Sequence, residues 1–318
     1  MGSVPKVKES DGVWRGTNLT WYGFFNANAY LLGTVVMFVL LSSVRVPTLG
    51  VVCFAVALLA VCMPASRLIA RWVEKKKHTF SVAGASFAGI VVCPLLVVAM
   101  KHVFDGHGFF DIGMLTAMAA VAVGYAFGEG TGRIACISFG CCYGKPVSEL
   151  PRFLRKIFSK CNFVFTGKTK KIAYAHGLDG EHVFPVQAIT AVIYCFAGML
   201  GIWLFLEGFH ADAFFFTVAI TQIWRFLSEF LRADYRGGLR ISAYQIMSAL
   251  SVCYALLLAL LASPAHYPKA MITDGLAVLW DPGMILFLQL LWIVSFLYTG
   301  RSQVTTSIMS FSVKKDRI

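Results

Sequence analysis

Charge is what this chain has least of. Only 14% of its 318 residues are Asp, Glu, Lys or Arg, where a soluble globular domain carries about 25%, so a water-solvated shell around one core is excluded. Acidic side chains are rarer still, 16 against 28 basic ones, which leaves a net charge of +12. No internal repeat is visible, so the pseudosymmetric halves of many secondary transporters have no support. Nine cysteines at 53, 62, 93, 136, 141, 142, 161, 195 and 253 form no disulfide framework. Cys136, Cys141 and Cys142 include no CxxC pair and only His176 and His182 stand nearby, so no metal site is expected. A cleavable signal peptide is not expected either. Lys6, Lys8 and Arg15 are too far from the first apolar run, no small-residue cleavage site follows, and the first helix is expected to stay as an anchor.

What is present is apolar length. Hydrophobic residues make up 58% of the chain and the mean hydropathy is +0.72. Apolar stretches fall at 24–44, 49–63, 80–100, 112–127, 186–206, 213–231, 243–261 and 278–298; about 20 such residues cross a ~30 Å hydrocarbon core as a helix. The second is the shortest and extends, on one reading, toward residue 69. The expectation is an all-α, polytopic membrane protein with seven to eight transmembrane helices, one integral membrane domain over 1–318.

Basic residues gather in the segments 67–77, 145–171, 232–240 and the tail from 301. Anionic headgroups attract such clusters at about 1 kcal/mol per residue, so the expected partner is the bilayer surface rather than nucleic acid. By the positive-inside rule these segments face the cytoplasm, with Glu207 and Asp212 outside. The longest break in hydropathy, 145–182, mixes basic, glycine and aromatic residues; it reads either as a small ordered cap or as a solvated connector.

Two cationic constellations stand out. Arg133 follows the apolar run at 112–127 and is embedded among Gly132, Gly140, Tyr143, Gly144 and Lys145; an arginine there, followed by glycine-rich backbone, suits an anion at the bilayer surface. Arg225, Glu229 and Arg232 recur at i, i+4 and i+7, one helical face. An unpaired charge at the bilayer centre costs about 2.5–3.5 kcal/mol, so Glu229 is expected to pair with Arg225. The alternative is that these charges only join two helices and snorkel at the interface. Two arginines on separate helices are also able to hold two oxygens of one phosphate diester.

At these residues the chain resembles a divergent prolipoprotein diacylglyceryl transferase, over about 66–252. The resemblance rests on Gly132-Arg133 closing with Gly140, Gly144 and Lys145, on Pro185-Val186-Gln187, on Arg225 to Arg232, and on Ser242 to Gln245. It implies an enzyme of lipoprotein biosynthesis, in a bacterial cytoplasmic (inner) membrane. Such an enzyme moves diacylglycerol from phosphatidylglycerol, or a similar anionic phospholipid, to the cysteine thiol of a lipobox in a preprolipoprotein, without a cofactor. Arg133 and Arg225 would then hold the headgroup and stabilise the leaving phosphate, with Glu229 orienting Arg225. Gly132, Gly140, Tyr143, Gly144, Gln187, Arg232 and Gln245 would line the substrate. The resemblance also places the signature and the cap on the outer face, opposite to the charge rule.

The chain departs from that pattern where thiol activation is concerned. Phe87-Ala88-Gly89 stands where the family has a histidine-glycine-glycine motif, and Thr221 where it has a tyrosine. His102 and His107 are the candidate replacements for the base. Two further readings follow: transfer to a non-peptide acceptor, or a phospholipid-binding or transport protein without turnover.

Overall fold

The computed structural model describes residues 3–8, 14–75, 81–104, 110, 112–234, 241–261 and 269–309. His107, Arg236 and the tail beyond 309 lie outside the described residues. Two strands, β1 (Ser3–Lys8) and β2 (Trp14–Leu19), precede α1 (Trp21–Ser43), α2 (Thr48–Glu74), α3 (Val82–Val103) and α4 (Met114–Phe139). The segment that follows holds α5 (Arg152–Phe158), β3 (Phe163–Val164), α6 (Lys171–His176) and β4 (His182–Val183). Then come α7 (Val186–Leu206), α8 (His210–Ser228), α9 (Ala243–Leu261), the short α10 (Ile272–Ala277), α11 (Pro282–Thr299) and β5 (Arg301–Met309).

Among the described residues seven helices are long and apolar enough to cross a membrane. The eighth long helix, α4, has 26 residues, about 39 Å at 1.5 Å per residue, and carries Glu129 and Arg133 through the middle of the bundle. It packs against α1, α7 and α8. The α1–α4 contact is close because both helices present glycine: a Cβ on Gly124 would lie 2.6 Å from the Gly33 carbonyl and 3.0 Å from Met37 Cβ. Gly124→Leu should therefore cost about 1–3 kcal/mol through overpacking, read as a lower unfolding midpoint in detergent. Gly132→Ala on the same helix, whose Cβ would meet Ala29 at an ordinary 3.6 Å, should leave that midpoint nearly unchanged.

The expected all-α class holds, with two small sheets that hydropathy did not reveal. One is antiparallel in the order β1-β2-β5 and pairs Thr17 with Thr306; the other is the β3-β4 pair. The expected boundary of the fourth apolar run at 127 is corrected to Phe139. Gly124, Gly128, Gly130 and Gly132 lower its hydropathy without ending it, so Arg133 sits inside a helix and not at its end.

The segment at 145–182 is folded. Tyr143, Phe165, Ile172 and Val183 form a small core beneath it, and Leu150, Phe184 and Val186 a second. Successive long helices run in opposite directions, so this segment shares one end of the bundle with the end of α2, the end of α8 and the last residues of α11. Contacts bear this out: Tyr244 donates to Glu74 at 2.9 Å, and Thr20 N donates to Gly300 O at 2.9 Å. At the opposite end Met271 N donates to Ser43 O at 3.0 Å and Ala270 N to Leu206 O at 3.1 Å.

Charge is divided the same way. Arg67, Arg71, Lys75, the basic residues of the 145–182 segment and Arg232 are at the first end and outnumber its acidic residues; Glu207, Asp212, Asp274 and Asp281 are at the second, beside Arg45, Lys101 and Lys269. Two basic residues of the second end are paired, Lys269 with Glu207 at 2.5 Å and Arg45 with Asp274 at 3.5 Å.

Candidate functional site

Three residues of α4 share a face at helical spacing: Tyr125, Glu129 and Arg133, four apart. Arg225 of α8 reaches across to them. Glu129 is the shared partner, with Oε1 accepting from Arg133 Nη2 and Oε2 accepting from Arg225 Nη2. The Tyr125 hydroxyl donates to Glu129 Oε2 and accepts from Arg225 Nη2 at 2.7 Å and Gln222 Nε2 at 3.4 Å. These side chains are almost out of solvent: Arg133 is 11% exposed, Arg225 8% and Glu129 3%.

Two cations on one carboxylate leave one positive charge. Charges withdrawn from water require pairing, and here the pairing is incomplete. Arg133 Nε and Arg225 Nε are both buried without a hydrogen-bond partner among the described residues. A buried unpaired donor is uncommon and marks a place where a ligand or water is expected. Two such donors, from two helices, flank one carboxylate.

The carboxylate paired with Arg225 is that of Glu129, not the expected Glu229. Glu229 opens a 3₁₀ turn over Glu229–Leu231 and meets Arg232 at 3.7 Å and Ser242 Oγ at 3.4 Å. The expected Arg225–Glu229 pair is thus replaced by Arg225–Glu129. Sequence reasoning passed over Glu129, although its place four residues before Arg133 carried the signal. Tyr125, one turn earlier, follows from the same spacing.

Arg232 is held by a bidentate pair with Asp234, Nε to Oδ1 at 2.8 Å and Nη2 to Oδ2 at 3.0 Å. Its backbone bridges to Gly144, Lys145 N donates to Leu231 O at 2.9 Å and Ala233 N to Tyr143 O at 3.2 Å. The two sequence constellations are therefore joined by backbone pairing. A Cβ on Gly144 would lie 2.4 Å from Phe184 O, so glycine is needed for that approach. Gln187 Nε2 donates to Cys141 O at 3.0 Å while its Oε1 stays buried without a partner among the described residues.

Three other expected substrate contacts have structural roles in the fold. Gly140 ends α4 in the left-handed region at φ +70, with its N–H on Cys136 O at 2.9 Å. Tyr143 is fully buried and its hydroxyl is bonded to His176 Nδ1. Gln245 caps α9: its Oε1 accepts from Ser242 N at 2.9 Å, its N–H reaches Ser242 Oγ at 3.2 Å, and its Nε2 donates to Phe226 O at 3.1 Å. That is a capping box, a serine followed three residues later by glutamine. Gly132 lies on α4 beside Arg133, against Ala29. His102 is on the last turn of α3, at the end of the bundle away from the 145–182 segment.

Burial lifts the Asp234 carboxyl to about 6, against the pull of the Arg232 guanidinium. A folded value above the unfolded one, about 3.9, means that folding favours the protonated form. Its contribution to stability is complete below about pH 4 and is lost as the pH rises through 6. Relative to Asp234→Asn, the wild-type unfolding free energy should fall by on the order of 2 kcal/mol between pH 4 and 7. Parallel pH profiles would contradict the assignment.

An open cavity of about 320 Å³ at the same end is lined by Tyr22, Ser138, Phe139 and Lys170 among others. It lies beside the end of α4 and not over the arginine pair.

Fold and site together define a polytopic helical membrane protein with a buried arginine pair on a shared carboxylate. The chain belongs to the prolipoprotein diacylglyceryl transferase family, whose sequence model matches residues 13–261. It is similar to a phosphatidylglycerol–prolipoprotein diacylglyceryl transferase of Clostridium tetani, 26% identical over 144 residues, which are 44% of this chain and 50% of that protein. The match thus spans about half the length of the curated relative. No solved structure matches.

Proposed function

We propose that this chain is a phospholipid-dependent transferase that binds an anionic glycerophospholipid, phosphatidylglycerol being the first candidate, and moves its diacylglycerol to an acceptor. The observation that carries this reading is the Arg133–Glu129–Arg225 cluster, with one net positive charge and two buried Nε–H groups without partners. A phosphate diester supplies one negative charge and the acceptor oxygens. As the glycerol–phosphate bond breaks, negative charge grows on the leaving phosphate, and preorganised guanidinium donors stabilise it more than the ground state. Glu129 fixes both arginines, and Arg232 and Gln187 line the approach from the 145–182 segment, which acts as a cap.

The lipobox cysteine of a preprolipoprotein is the acceptor that family membership suggests, in the cytoplasmic membrane of a bacterium. The charge distribution favours a second reading. Lysine and arginine concentrate at the cap end, which by the positive-inside rule turns the cap toward the cytoplasm. An acceptor there would be a cytoplasmic thiol, a sugar, an alcohol or another lipid.

Purified protein, given phosphatidylglycerol labelled in the diacylglycerol moiety, is offered a lipobox peptide or low-molecular-weight thiols and alcohols. A labelled adduct that requires Arg133 and Arg225 is the expected result. Lipid binding without any adduct, across donors and acceptors, would leave a binding protein in place of an enzyme. An impermeant maleimide assigns the side: exposed Cys161 should label in inverted vesicles and not in intact cells if the charge rule governs.

A further inference from the structure

Beside the arginine cluster, three thiols share one place. Cys136 is on the last turn of α4, Gly140 reverses the chain, and Cys141 returns over that turn with its N–H on Cys136 O at 3.1 Å. The sulfurs of Cys136, Cys141 and Cys142 all lie within 4.8 Å of one another. Cys142 is held at φ +54, a region that costs a non-glycine residue on the order of 1–3 kcal/mol and is concentrated at functional sites.

We propose that Cys136, Cys141 and Cys142 form a three-thiolate site for a thiophilic divalent cation of the Zn²⁺ class, with its fourth position open to an external thiol. The spacing of these cysteines argued against a metal because no CxxC pair is present; the helix end supplies the convergence that spacing lacks. Tetrahedral ligation with Zn–S near 2.3 Å sets the sulfurs about 3.8 Å apart, so closing the site needs shifts of about 1 Å at most. The group contains no carboxylate or imidazole, and an all-sulfur donor set selects soft cations over magnesium or calcium. Three thiolates around a divalent ion leave one net negative charge. Of the cationic neighbours of these sulfurs, Arg133 is paired with Glu129 and Arg232 with Asp234, so Lys171 is the one that balances it.

Three protein ligands with a fourth position left open are the arrangement of catalytic rather than structural zinc. On the transferase reading, on which this step rests, the acceptor's thiol takes the open position. Bound water leaves, a metal–sulfur bond forms, and the S–H proton passes to the buffer with no change of oxidation state. That would activate the thiol in a chain whose residues 87–89 offer no histidine.

The test uses the whole protein in detergent, reduced and freed of metal, titrated with Co²⁺ and then Zn²⁺. One equivalent of Co²⁺ should give thiolate charge-transfer bands that Zn²⁺ abolishes. Cys136→Ser and Cys142→Ser should lose stoichiometric binding, and Cys161→Ser should not. Because a serine variant can misfold, wild-type protein is also alkylated with and without Zn²⁺: mass spectrometry should find Cys136, Cys141 and Cys142 protected and Cys161 not. Absent bands, stoichiometric binding that survives in Cys136→Ser and Cys142→Ser, or equal protection of Cys161 would overturn the site. Adding N-acetylcysteine amide to the cobalt form should shift the bands; unchanged bands would overturn the acceptor step while the metal site stands.

Discussion

Glu129→Gln should unfold the protein or bring it close to unfolding. The substitution leaves two guanidinium groups, 11% and 8% exposed, facing each other with no carboxylate between them. Removing one partner of a buried ion pair costs about 3–5 kcal/mol, and here a single removal strands two charges. Against a total stability of about 5–15 kcal/mol, that loss is read directly as a collapse of the unfolding midpoint and of accumulation in the membrane. The effect should be reversible by discharging the cluster: Arg133→Met and Arg225→Met combined with Glu129→Gln should recover folding, because an apolar replacement of a whole buried ion cluster is often neutral. That triple variant should be folded and inactive. A Glu129→Gln protein as stable as wild type would show that the carboxylate does not hold the two helices in register.

Arg225→Lys and Arg133→Lys should keep the fold and lose activity by about 10²–10³, the loss that removal of one preorganised donor produces. Lysine retains the charge but presents a point ammonium in place of a planar fork. Arg225 uses Nη2 for both Glu129 and Tyr125 and still has Nε–H unbonded. A lysine is unable to satisfy Glu129 and Tyr125 and also direct a second donor toward a phosphate from a fixed geometry. The loss should appear in kcat/KM with labelled phosphatidylglycerol, while the unfolding midpoint moves less than in Glu129→Gln. Full activity in both lysine variants would show that charge alone suffices and that the fork is unused.

How legible these features were depended on whether hydropathy carried them. The stretches at 186–206 and 243–261 coincide with α7 and α9, since polar or proline flanks end apolar runs sharply there. The end of α4 was hidden because glycine, Glu129 and Arg133 depress hydropathy in a helix whose polar face is buried against α1 and α8. The partner of Arg225 was misassigned for a related reason. Spacing along one helix nominated Glu229, yet the bundle supplied Glu129 from 96 residues away. Gln245 carried its role openly, as the last residue of a serine-x-x-glutamine capping pattern, but the family motif directed attention to substrate. The terminal sheet was beyond sequence pattern altogether, since β2 and β5 pair across nearly the whole chain.

A structure of the whole protein with bound phosphatidylglycerol would test the anion receptor most directly. The phosphate should accept hydrogen bonds from Arg133 Nε and Arg225 Nε while Glu129 keeps its bonds to both Nη2 groups. A headgroup resting only on the basic residues of the cap, with the two arginines and Glu129 undisturbed and out of reach, would contradict it.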